Sequence, residues 1–209
     1  MKRIGIVCAM EKELALIDKS SERAGTEIRA VLSGIGKVNA ALATLKLIYE
    51  FQPDFILSAG AAGSLDAACR QGELILGAKV SYHDVWCGKD VGAGIIQGLP
   101  AEFPADAELL EKAAAICPEA RVGRIITGDQ FYLDEAEDRR QKELYPDALA
   151  VDMESAAIAQ TCFLEKVPFL SLRIISDIHG ENQSDSYTSF WNNPAETSFH
   201  AVSRIISAI

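Results

Sequence analysis

Leu149-Ala-Val-Asp-Met-Glu-Ser155 is a short apolar run that ends in two acids on either side of a methionine, and small residues follow at 156–162. The pattern indicates a buried strand that passes directly into a helix. In sheets covered by helices, ligands bind at the carboxyl ends of the strands. The two acids are therefore candidate ligands for a ribose or another sugar. In the structural alternative, which we favour for Asp152, that residue caps the helix and Glu154 lies in its first turn.

Strand and helix patterns alternate along the rest of the chain. Strands are expected at residues 4–8, 27–32, 54–58, 73–80, 121–126 and 169–175, and helices at residues 11–19, 38–51, 106–116, 134–144 and 194–209. Glycine-containing or polar segments at residues 59–64, 87–98 and 180–186 are expected to be loops. The alternation predicts an α/β fold, in which helices surround a mostly parallel or mixed twisted sheet. Since no repeat or linker divides the sequence, residues 1–209 are expected to form a single domain.

The charge of the chain narrows the classes of ligand. The 209 residues carry a formal net charge of -10 at pH 7, which argues against a nucleic-acid partner because phosphates require a basic surface. A membrane is not expected as a partner, since the apolar run at residues 4–10 is too short to span a bilayer. A small molecule, uncharged or cationic, is the remaining partner.

The cysteines and histidines predict neither a disulfide framework nor a metal site. The five cysteines lie far apart and include no Cys-x-x-Cys pair, which favours a reducing cytoplasm. His83, His179 and His200 do not have the spacing of metal ligands. We therefore expect a cytoplasmic protein without a metal or a cofactor.

Small, polar or acidic residues end or follow several predicted strands. They fall at residues 9–13, 58–63, 127–129, 152–154 and 176–177. Parallel strands would bring these ends to one edge of a sheet. Gly34-x-Gly36 and Gly60-x-x-Gly63 match neither the dinucleotide pattern nor the phosphate-binding loop with its lysine. A neutral polyol or heterocycle therefore suits this edge better than a phosphate.

Six motifs occur in the order typical of one protein family. They are Ile4-Gly-Ile-Val-Cys-Ala-Met-Glu-x-Glu13, Ser33-Gly-Ile-Gly-Lys-Val38, residues 59–65, Gly128-Asp-x-Phe131, Ala150-Val-x-Met-Glu154 and Arg173-x-x-Ser-Asp177. On these motifs the chain resembles the nucleoside phosphorylase superfamily and, within it, the 5′-methylthioadenosine/S-adenosylhomocysteine nucleosidase family. Each motif alone is weak evidence, but the six together span almost the whole chain. The resemblance implies a nucleoside phosphorylase-like fold and hydrolysis of the bond between adenine and a 5′-thio-substituted ribose.

The resemblance also implies roles for three acids. Asp177 would protonate N7 of adenine as the general acid, and partial burial at a strand end would raise its pKa towards the required range. Glu13 would hold and activate the attacking water. Glu154 would accept hydrogen bonds from the 2′- and 3′-hydroxyls of the ribose, and we expect the start of the helix to keep it ionised. Arg173 would orient Glu13 or its water, although it could instead pair with a neighbouring acid.

Four other residues would contact the substrate by the same resemblance. Met153 would pack beneath the ribose, Phe131 would stack on the purine, and Tyr132 would offer backbone hydrogen bonds to the base edge. Ile35 would touch the 5′-alkylthio tail. The structural alternative is that Phe131 and Met153 belong to the core. The resemblance further implies a homodimer.

Ala61 is a departure from the family pattern. The family commonly has a serine there that hydrogen-bonds the catalytic aspartate, so Ser176, Ser64 or a water would have to replace it. Such a loss would lower the rate without abolishing it. Residues 87–99 also lack the aromatic residues that the family uses to reach a neighbouring subunit.

Three alternative functions stay open. A nucleosidase for futalosine or a related 6-amino nucleoside would use the same acids. A phosphate-dependent purine nucleoside phosphorylase would share the fold, but Glu11 and Glu13 would repel a phosphate dianion beside the sugar. An inactive nucleoside-binding or storage homologue would be consistent with Ala61, whereas the three retained acids argue against it.

Overall fold

The structure is a computed structural model that describes residues 1–17, 25–131, 135–178, 183–192 and 195–209. Its strands are β1 (Lys2–Cys8), β2 (Thr26–Leu32), β3 (Phe55–Ser64), β4 (Leu74–Tyr82), β5 (Phe103–Pro104), β6 (Arg121–Thr127), β7 (Ala148–Asp152) and β8 (Phe169–Asp177). Its helices are α1 (Glu11–Leu16), α2 (Lys37–Phe51), α3 (Ala107–Ile116), α4 (Glu135–Leu144), α5 (Ser155–Glu165), α6 (Gln183–Asn192) and α7 (Ala195–Ala208). The predicted strand-to-helix junction at residues 149–155 is present as β7 followed by α5.

The strands form one mixed sheet. Its order is β2-β1-β3-β7-β6-β4-β5, and β8 pairs with both β3 and β4. The pairs β1–β2, β1–β3, β3–β8, β4–β6 and β6–β7 are parallel, whereas β3–β7, β4–β5 and β4–β8 are antiparallel. The α/β fold with a mostly parallel or mixed sheet is therefore confirmed.

Helices cover both faces of the sheet, which explains why the strands read as continuous apolar runs. Side chains alternate between the faces, so Ile4 and Ile6 of β1 pack in a cluster with residues of α3, α6 and α7. Val7 packs on the other face, in a cluster with residues of α2 and α5. The core thus lies in two layers on either side of the sheet. Among the described residues, no helix is both long and apolar enough to cross a bilayer.

Two segments predicted as loops are regular elements. β3 continues through residues 59–64 and pairs in parallel with β8 as far as Gly63, with an irregularity between Ala62 and Gly63. α6 begins at Gln183, inside the segment predicted as a loop at residues 180–186. The short strand β5 was not predicted, because two residues carry no detectable pattern.

Most other boundaries agree within two residues of the predicted ones, and β8 extends to Asp177 rather than ending at residue 175. Parts of the predictions fall on residues 18–19, 134, 180–182 and 194, which lie outside the described residues. The strand extensions matter for the site because they carry β3 and β8 to the acids described below.

Candidate functional site

Three neighbouring strands, β3, β7 and β8, end around a cavity of about 310 Å³. Ser64 of β3, Asp152 of β7 and Asp177 of β8 are among the residues that line it. Residues near the start of α1, before α2, after β6, between β7 and α5 and in α6 contribute further to the described lining. A cavity on this scale suits one small organic molecule.

Most of the predicted site residues lie together in this cavity. Its lining includes Glu13, Ile35, Ala61, Phe131, Met153, Glu154 and Asp177. Arg173 is buried behind the cavity and does not line it. Tyr132 lies outside the described residues, so its contact with the base edge stays a prediction.

Glu13 lies in the first turn of α1 with its carboxyl turned into the protein, where it is only 2% exposed. Its Oε2 accepts hydrogen bonds from the amides of Ala9 (3.1 Å) and Met10 (2.9 Å), and its Oε1 accepts one from the amide of Ala61 (2.8 Å). Burial raises the pKa of the Glu13 carboxyl, and the amides and the charge of Arg173 oppose this rise only in part. Glu13 is therefore a fixed carboxyl suited to take a proton from water.

Glycines let β3 approach two acids closely. A Cβ at position 60 would lie 2.7 Å from Oε1 of Glu13, and one at position 63 would lie 2.9 Å from Oδ2 of Asp177. A Cβ at either position would displace the carboxyl, so Gly60 and Gly63 each allow one carboxyl to reach the strand backbone. The Gly60-x-x-Gly63 spacing thus belongs to a strand that holds two acids and not to a phosphate-binding loop.

Asp177 ends β8 and is 7% exposed. The hydroxyl of Ser176 donates a hydrogen bond to Oδ1 of Asp177 at 2.7 Å. Ser176 therefore supplies a hydrogen bond of the kind that Ala61 cannot give. Burial raises the pKa of the Asp177 carboxyl, and the hydrogen bond from Ser176 counteracts this rise in part. The raised pKa favours the protonated form that a general acid needs.

Glu154 immediately precedes α5 and is 8% exposed. Its Oε1 accepts a hydrogen bond from the amide of Gly36 at 2.8 Å. Burial, followed by the charge of Asp152, raises the pKa of Glu154 to about 7, although the Gly36 amide and Arg173 lower it. Burial and the charge of Asp152 thus oppose the ionised form of Glu154, which the start of the helix is expected to favour.

Asp152, which lines the cavity, and Arg173, which lies behind it, form a buried ion pair. The distance from Nε of Arg173 to Oδ2 of Asp152 is 2.6 Å, and the two side chains are 3% and 1% exposed. Asp152 also accepts hydrogen bonds from the hydroxyl of Thr127 (2.6 Å) and from the amide of Ser155 (3.2 Å). Arg173 donates a further hydrogen bond to the hydroxyl of Ser58 at 2.7 Å. These bonds support the structural role favoured for Asp152.

The placement of Arg173 differs from the prediction. Within the described residues, no hydrogen bond joins Arg173 to Glu13, so Arg173 does not orient that carboxyl by direct contact. The structure instead shows the alternative considered from the sequence, in which Arg173 pairs with a neighbouring acid, Asp152. Arg173 is close enough to act on Glu13 and Glu154 through its charge, which lowers the pKa of both. Its effect on the cavity is electrostatic.

Apolar side chains form the more open side of the cavity. Ile35 and Phe131 are 53% and 52% exposed, so the alternative that Phe131 belongs to the core is wrong. Met153 is half-buried and lines the cavity. The ring of Phe131 meets that of Tyr187 edge to face, with 5.1 Å between the centroids.

Sequence reasoning missed Tyr187, which enters the cavity lining from α6. Its hydroxyl accepts a hydrogen bond from Nζ of Lys12 at 2.8 Å and lies 3.6 Å from the sulfur of Met10. The segment before it was predicted as a loop. A usable signal was present, because Tyr187, Phe190 and Trp191 have the three- and four-residue spacing of one helix face.

Two further expectations concern Glu11 and metal ions. Glu11 is exposed and does not line the cavity, so the expectation that it stands beside the sugar with Glu13 and repels a phosphate there is wrong for Glu11. Across the part of the chain that the structure describes, no group of three or more His, Cys, Asp or Glu residues could hold a metal ion. His83 is buried, and its Nδ1 lies 3.0 Å from Nε2 of Gln141.

The fold and the cavity define an α/β protein with a ligand site at its strand ends that carries groups for acid and base chemistry. The chain belongs to the phosphorylase superfamily, whose family model matches residues 3–207. A 5′-methylthioadenosine/S-adenosylhomocysteine nucleosidase from Staphylococcus aureus (strain bovine RF122 / ET3-1) is 32% identical over 231 residues, covering 99% of this chain and 100% of that protein. The resemblance seen in the motifs is therefore confirmed.

Solved structures agree with this placement. The 5′-methylthioadenosine/S-adenosylhomocysteine nucleosidase from Neisseria meningitidis, in complex with methylthio-immucillin-A, superposes with a TM-score of 0.88 at 31% identity and covers 100% of both chains. The futalosine hydrolase of Helicobacter pylori strain 26695 gives a TM-score of 0.90 at 26% identity and covers 100% of this chain and 98% of that chain. The similarity extends over the full length of the chain in both cases.

Proposed function

We propose that this protein hydrolyses the N-glycosidic bond of 5′-methylthioadenosine and S-adenosylhomocysteine and releases adenine. The observation that carries the proposal is the convergence of Glu13, Glu154 and Asp177, each with a pKa raised by burial, on one cavity. At a coarser level, the chain is a hydrolase of N-glycosidic bonds in nucleosides, the type of enzyme to which its full-length relatives belong.

In the proposed mechanism Asp177 is the general acid. Its carboxyl would give a proton to N7 of adenine as the bond to the sugar breaks, so the base leaves uncharged. Burial favours the protonated carboxyl before this step, and the Ser176 hydroxyl stabilises the carboxylate that results. Proton transfer by a positioned group contributes about 10²- to 10⁴-fold to a rate.

Glu13 would hold the attacking water and accept its proton. Three amides fix the carboxyl, so a water bound to it would have a defined direction of attack. The carboxylate would also stabilise the positive charge that develops on the sugar. The raised pKa of Glu13 makes it a stronger base than an exposed glutamate.

Glu154 and Met153 would bind the ribose. One oxygen of Glu154 is held by the amide of Gly36, which leaves the other oxygen for the 2′- and 3′-hydroxyls. Met153 lies beside Glu154 in the cavity lining and would pack beneath the sugar ring. Since hydroxyls are better donors to a carboxylate than to a carboxylic acid, substrate binding would favour the ionised form of Glu154.

The other predicted contacts belong to the base and the 5′ substituent. Phe131, exposed at the open side, would stack on the purine, and Tyr132 would offer backbone hydrogen bonds to its edge. Ile35 would touch the 5′-alkylthio tail. Arg173 would act through its charge on Glu13 and Glu154, and Ala61 would contribute its backbone amide to Glu13.

Futalosine hydrolysis is the second candidate, favoured by the likeness to the Helicobacter pylori enzyme. The acids needed for base release would be the same for futalosine and for methylthioadenosine. The two functions would therefore differ only in how the base and the 5′ substituent are bound. Phosphorolysis is less favoured, because no lysine or arginine is among the described residues that line the cavity and a phosphate dianion beside buried Glu13 would be repelled.

A phosphate-free incubation tests the proposal. The protein is given methylthioadenosine, S-adenosylhomocysteine, adenosine and futalosine separately, and released base is measured by chromatography. We expect adenine from the first two substrates. Base release from futalosine alone would support the second candidate, release that requires phosphate would identify a phosphorylase, and binding without release would identify a nucleoside-binding homologue.

We also propose that residues 1–209 act as one nucleosidase domain in a cytoplasmic homodimer. The outward face of α2 supports the dimer, since Val38, Leu42 and Tyr49 are 70%, 63% and 67% exposed and large apolar surfaces mark interaction sites. Light scattering tests the assembly. A monomer at micromolar concentration would contradict it.

A further inference from the structure

Glu154 depends on one backbone amide for its position. Among the described residues, the hydrogen bond recorded for its carboxyl comes from Gly36. Gly36 has φ 95, a left-handed conformation, and it precedes α2 without a side-chain cap of its own. The direction of the Gly36 amide must therefore be fixed by contacts from elsewhere.

Asp129 provides the first of these contacts. Its Oδ1 accepts a hydrogen bond from the amide of Lys37, the residue after Gly36, at 2.8 Å. The same oxygen lies 3.1 Å from where a Cβ on Gly36 would be. Two consecutive amides at the start of α2 thus bind two acids, Gly36 to Glu154 and Lys37 to Asp129.

Asp84 provides the second contact, because it binds both Lys37 and Asp129. The hydrogen bonds among Lys37, Asp84 and Asp129 form a network. Its Oδ2 accepts hydrogen bonds from Nζ of Lys37 at 2.6 Å and from the amide of Asp129 at 2.9 Å. The side chain of Asp84 is 15% exposed, whereas that of Asp129 is 45% exposed. Three segments of the chain, after β2, β4 and β6, are therefore joined around the Gly36 amide.

The network also reaches the other side of the cavity. Asp129 is followed directly by Gln130 and Phe131, and both line the cavity. A shift of Asp129 would therefore move the segment proposed to stack on the base as well as the amide that holds Glu154. Neither Asp84 nor Asp129 lines the cavity, so their influence on a ligand would be indirect.

We propose that Asp129 and Asp84 are positioning residues, which lock the start of α2 so that the Gly36 amide holds one oxygen of Glu154 and leaves the other for the ribose hydroxyls. The inference rests on the proposed role of Glu154. The competing interpretation is that the network only stabilises the fold, in which case its loss would not alter how the site distinguishes sugars.

The test is Asp129→Ala, assayed with methylthioadenosine and its 2′-deoxy analogue. The ratio of their kcat/KM values reports the interaction of Glu154 with the sugar, and comparing this ratio between proteins cancels the intrinsic reactivity of the two substrates. A hydrogen bond to a charged group is typically worth about tenfold or more in binding. We expect the ratio to fall at least about fivefold in Asp129→Ala, mainly through KM for methylthioadenosine.

Two variants serve as controls. Asp106→Ala removes an aspartate whose Oδ1 accepts a hydrogen bond from the Leu109 amide at the start of α3, away from the cavity lining. Its ratio should stay at the wild-type value even if its melting temperature falls as far as that of Asp129→Ala. Asp129→Asn keeps an oxygen that can accept from the Lys37 amide, so it should restore most of the ratio.

The pH profile gives a second readout. When the Gly36 amide no longer binds Glu154, the pKa of that carboxyl should rise further, and the acidic limb of kcat/KM should move to higher pH. Asp84→Ala, which removes the oxygen that accepts from Lys37 and from the Asp129 amide, should shift both readouts in the same direction, and it keeps the proposal testable if Asp129→Ala does not fold. The proposal would be overturned if Asp129→Ala and Asp84→Ala fold and keep the wild-type kcat/KM ratio and the wild-type pH profile.

The failure of this inference can be distinguished from that of the proposed function. If the wild-type protein releases adenine but Glu154→Ala leaves the ratio at its wild-type value, the ribose role of Glu154 and this proposal both fall. If the wild-type protein releases no base from either substrate, the proposed function itself is wrong.

Discussion

Glu154→Gln should stabilise the folded protein at alkaline pH while it weakens substrate binding. Burial and the charge of Asp152 raise the pKa of Glu154 from its ordinary value of 4.5 to about 7. Well below pH 4.5 the carboxyl is protonated in both the folded and the unfolded chain, so Glu154 does not lower the free energy of unfolding there. We call the loss of free energy of unfolding at higher pH the ionisation penalty. As the pH rises from there to 7, the unfolded chain ionises first and the folded state loses stability.

The size of this penalty follows from the same two values. A rise of the pKa from 4.5 to about 7 corresponds to roughly 3 kcal/mol above pH 7. Glutamine has nearly the same shape, keeps an oxygen for the Gly36 amide and never ionises, so it avoids the penalty. For a chain of this length each 1 kcal/mol shifts the melting temperature by about 2–4 °C, and we therefore expect a gain of about 6–12 °C at pH 8.5.

Thermal melts followed by circular dichroism at pH 5 and pH 8.5 check this prediction. The melting temperatures of wild type and variant should lie close together at pH 5 and separate at pH 8.5. Glu111→Gln, which changes an exposed glutamate on α3, should show no such separation. A Glu154→Gln protein that is less stable than wild type at pH 8.5, or whose advantage does not grow with pH, would refute the reasoning.

Other substitutions test the remaining acids. Asp177→Asn should reduce adenine release by about 10²- to 10⁴-fold with an unchanged circular dichroism spectrum; near-full activity would exclude Asp177 as the general acid. Ser176→Ala removes the hydrogen bond that lowers the pKa of Asp177, so the basic limb of the pH–rate profile should move to higher pH. Gly60→Ala places a Cβ 2.7 Å from Oε1 of Glu13, and its kcat should fall more than its affinity for adenine, measured by calorimetry.

The sequence predicted the acids better than it predicted their environments. Glu13, Glu154 and Asp177 could be placed near strand ends because each follows an apolar run within three residues, and the order of motifs supplied their proposed roles. The rise in the pKa of Asp177 could be predicted from its place at a strand end, but the rises for Glu13 and Glu154 could not, since these depend on contacts between distant residues. The ion pair of Asp152 with Arg173 joins residues from different strands, and no local pattern reveals it.

The glycine segment shows the same limit for the fold. Glycines are uncommon in strands and frequent in loops, so residues 59–64 were predicted as a loop. β3 continues there because Gly60 and Gly63 make room for Glu13 and Asp177, which approach from other elements. The local preference of glycine for loops is outweighed by the space that the carboxyls of Glu13 and Asp177 need, which only the folded structure reveals.

The helix α6 was missed for a different reason. The polar residues before Tyr187 resemble a loop, and the spacing of Tyr187, Phe190 and Trp191 was outweighed by that composition. As a result no role is predicted for Tyr187, although its ring meets Phe131 at the cavity. Weighing aromatic spacing above local polarity would have identified this residue.

The origin of the oxygen added to the sugar tests the central claim most directly. The protein is incubated with methylthioadenosine in ¹⁸O-labelled water without phosphate, and the products are identified by mass spectrometry. The account predicts free adenine and 5-methylthioribose with one ¹⁸O atom at the anomeric carbon. Cleavage that occurs only when phosphate is added and yields a sugar 1-phosphate, or an absence of cleavage under both conditions, would contradict it.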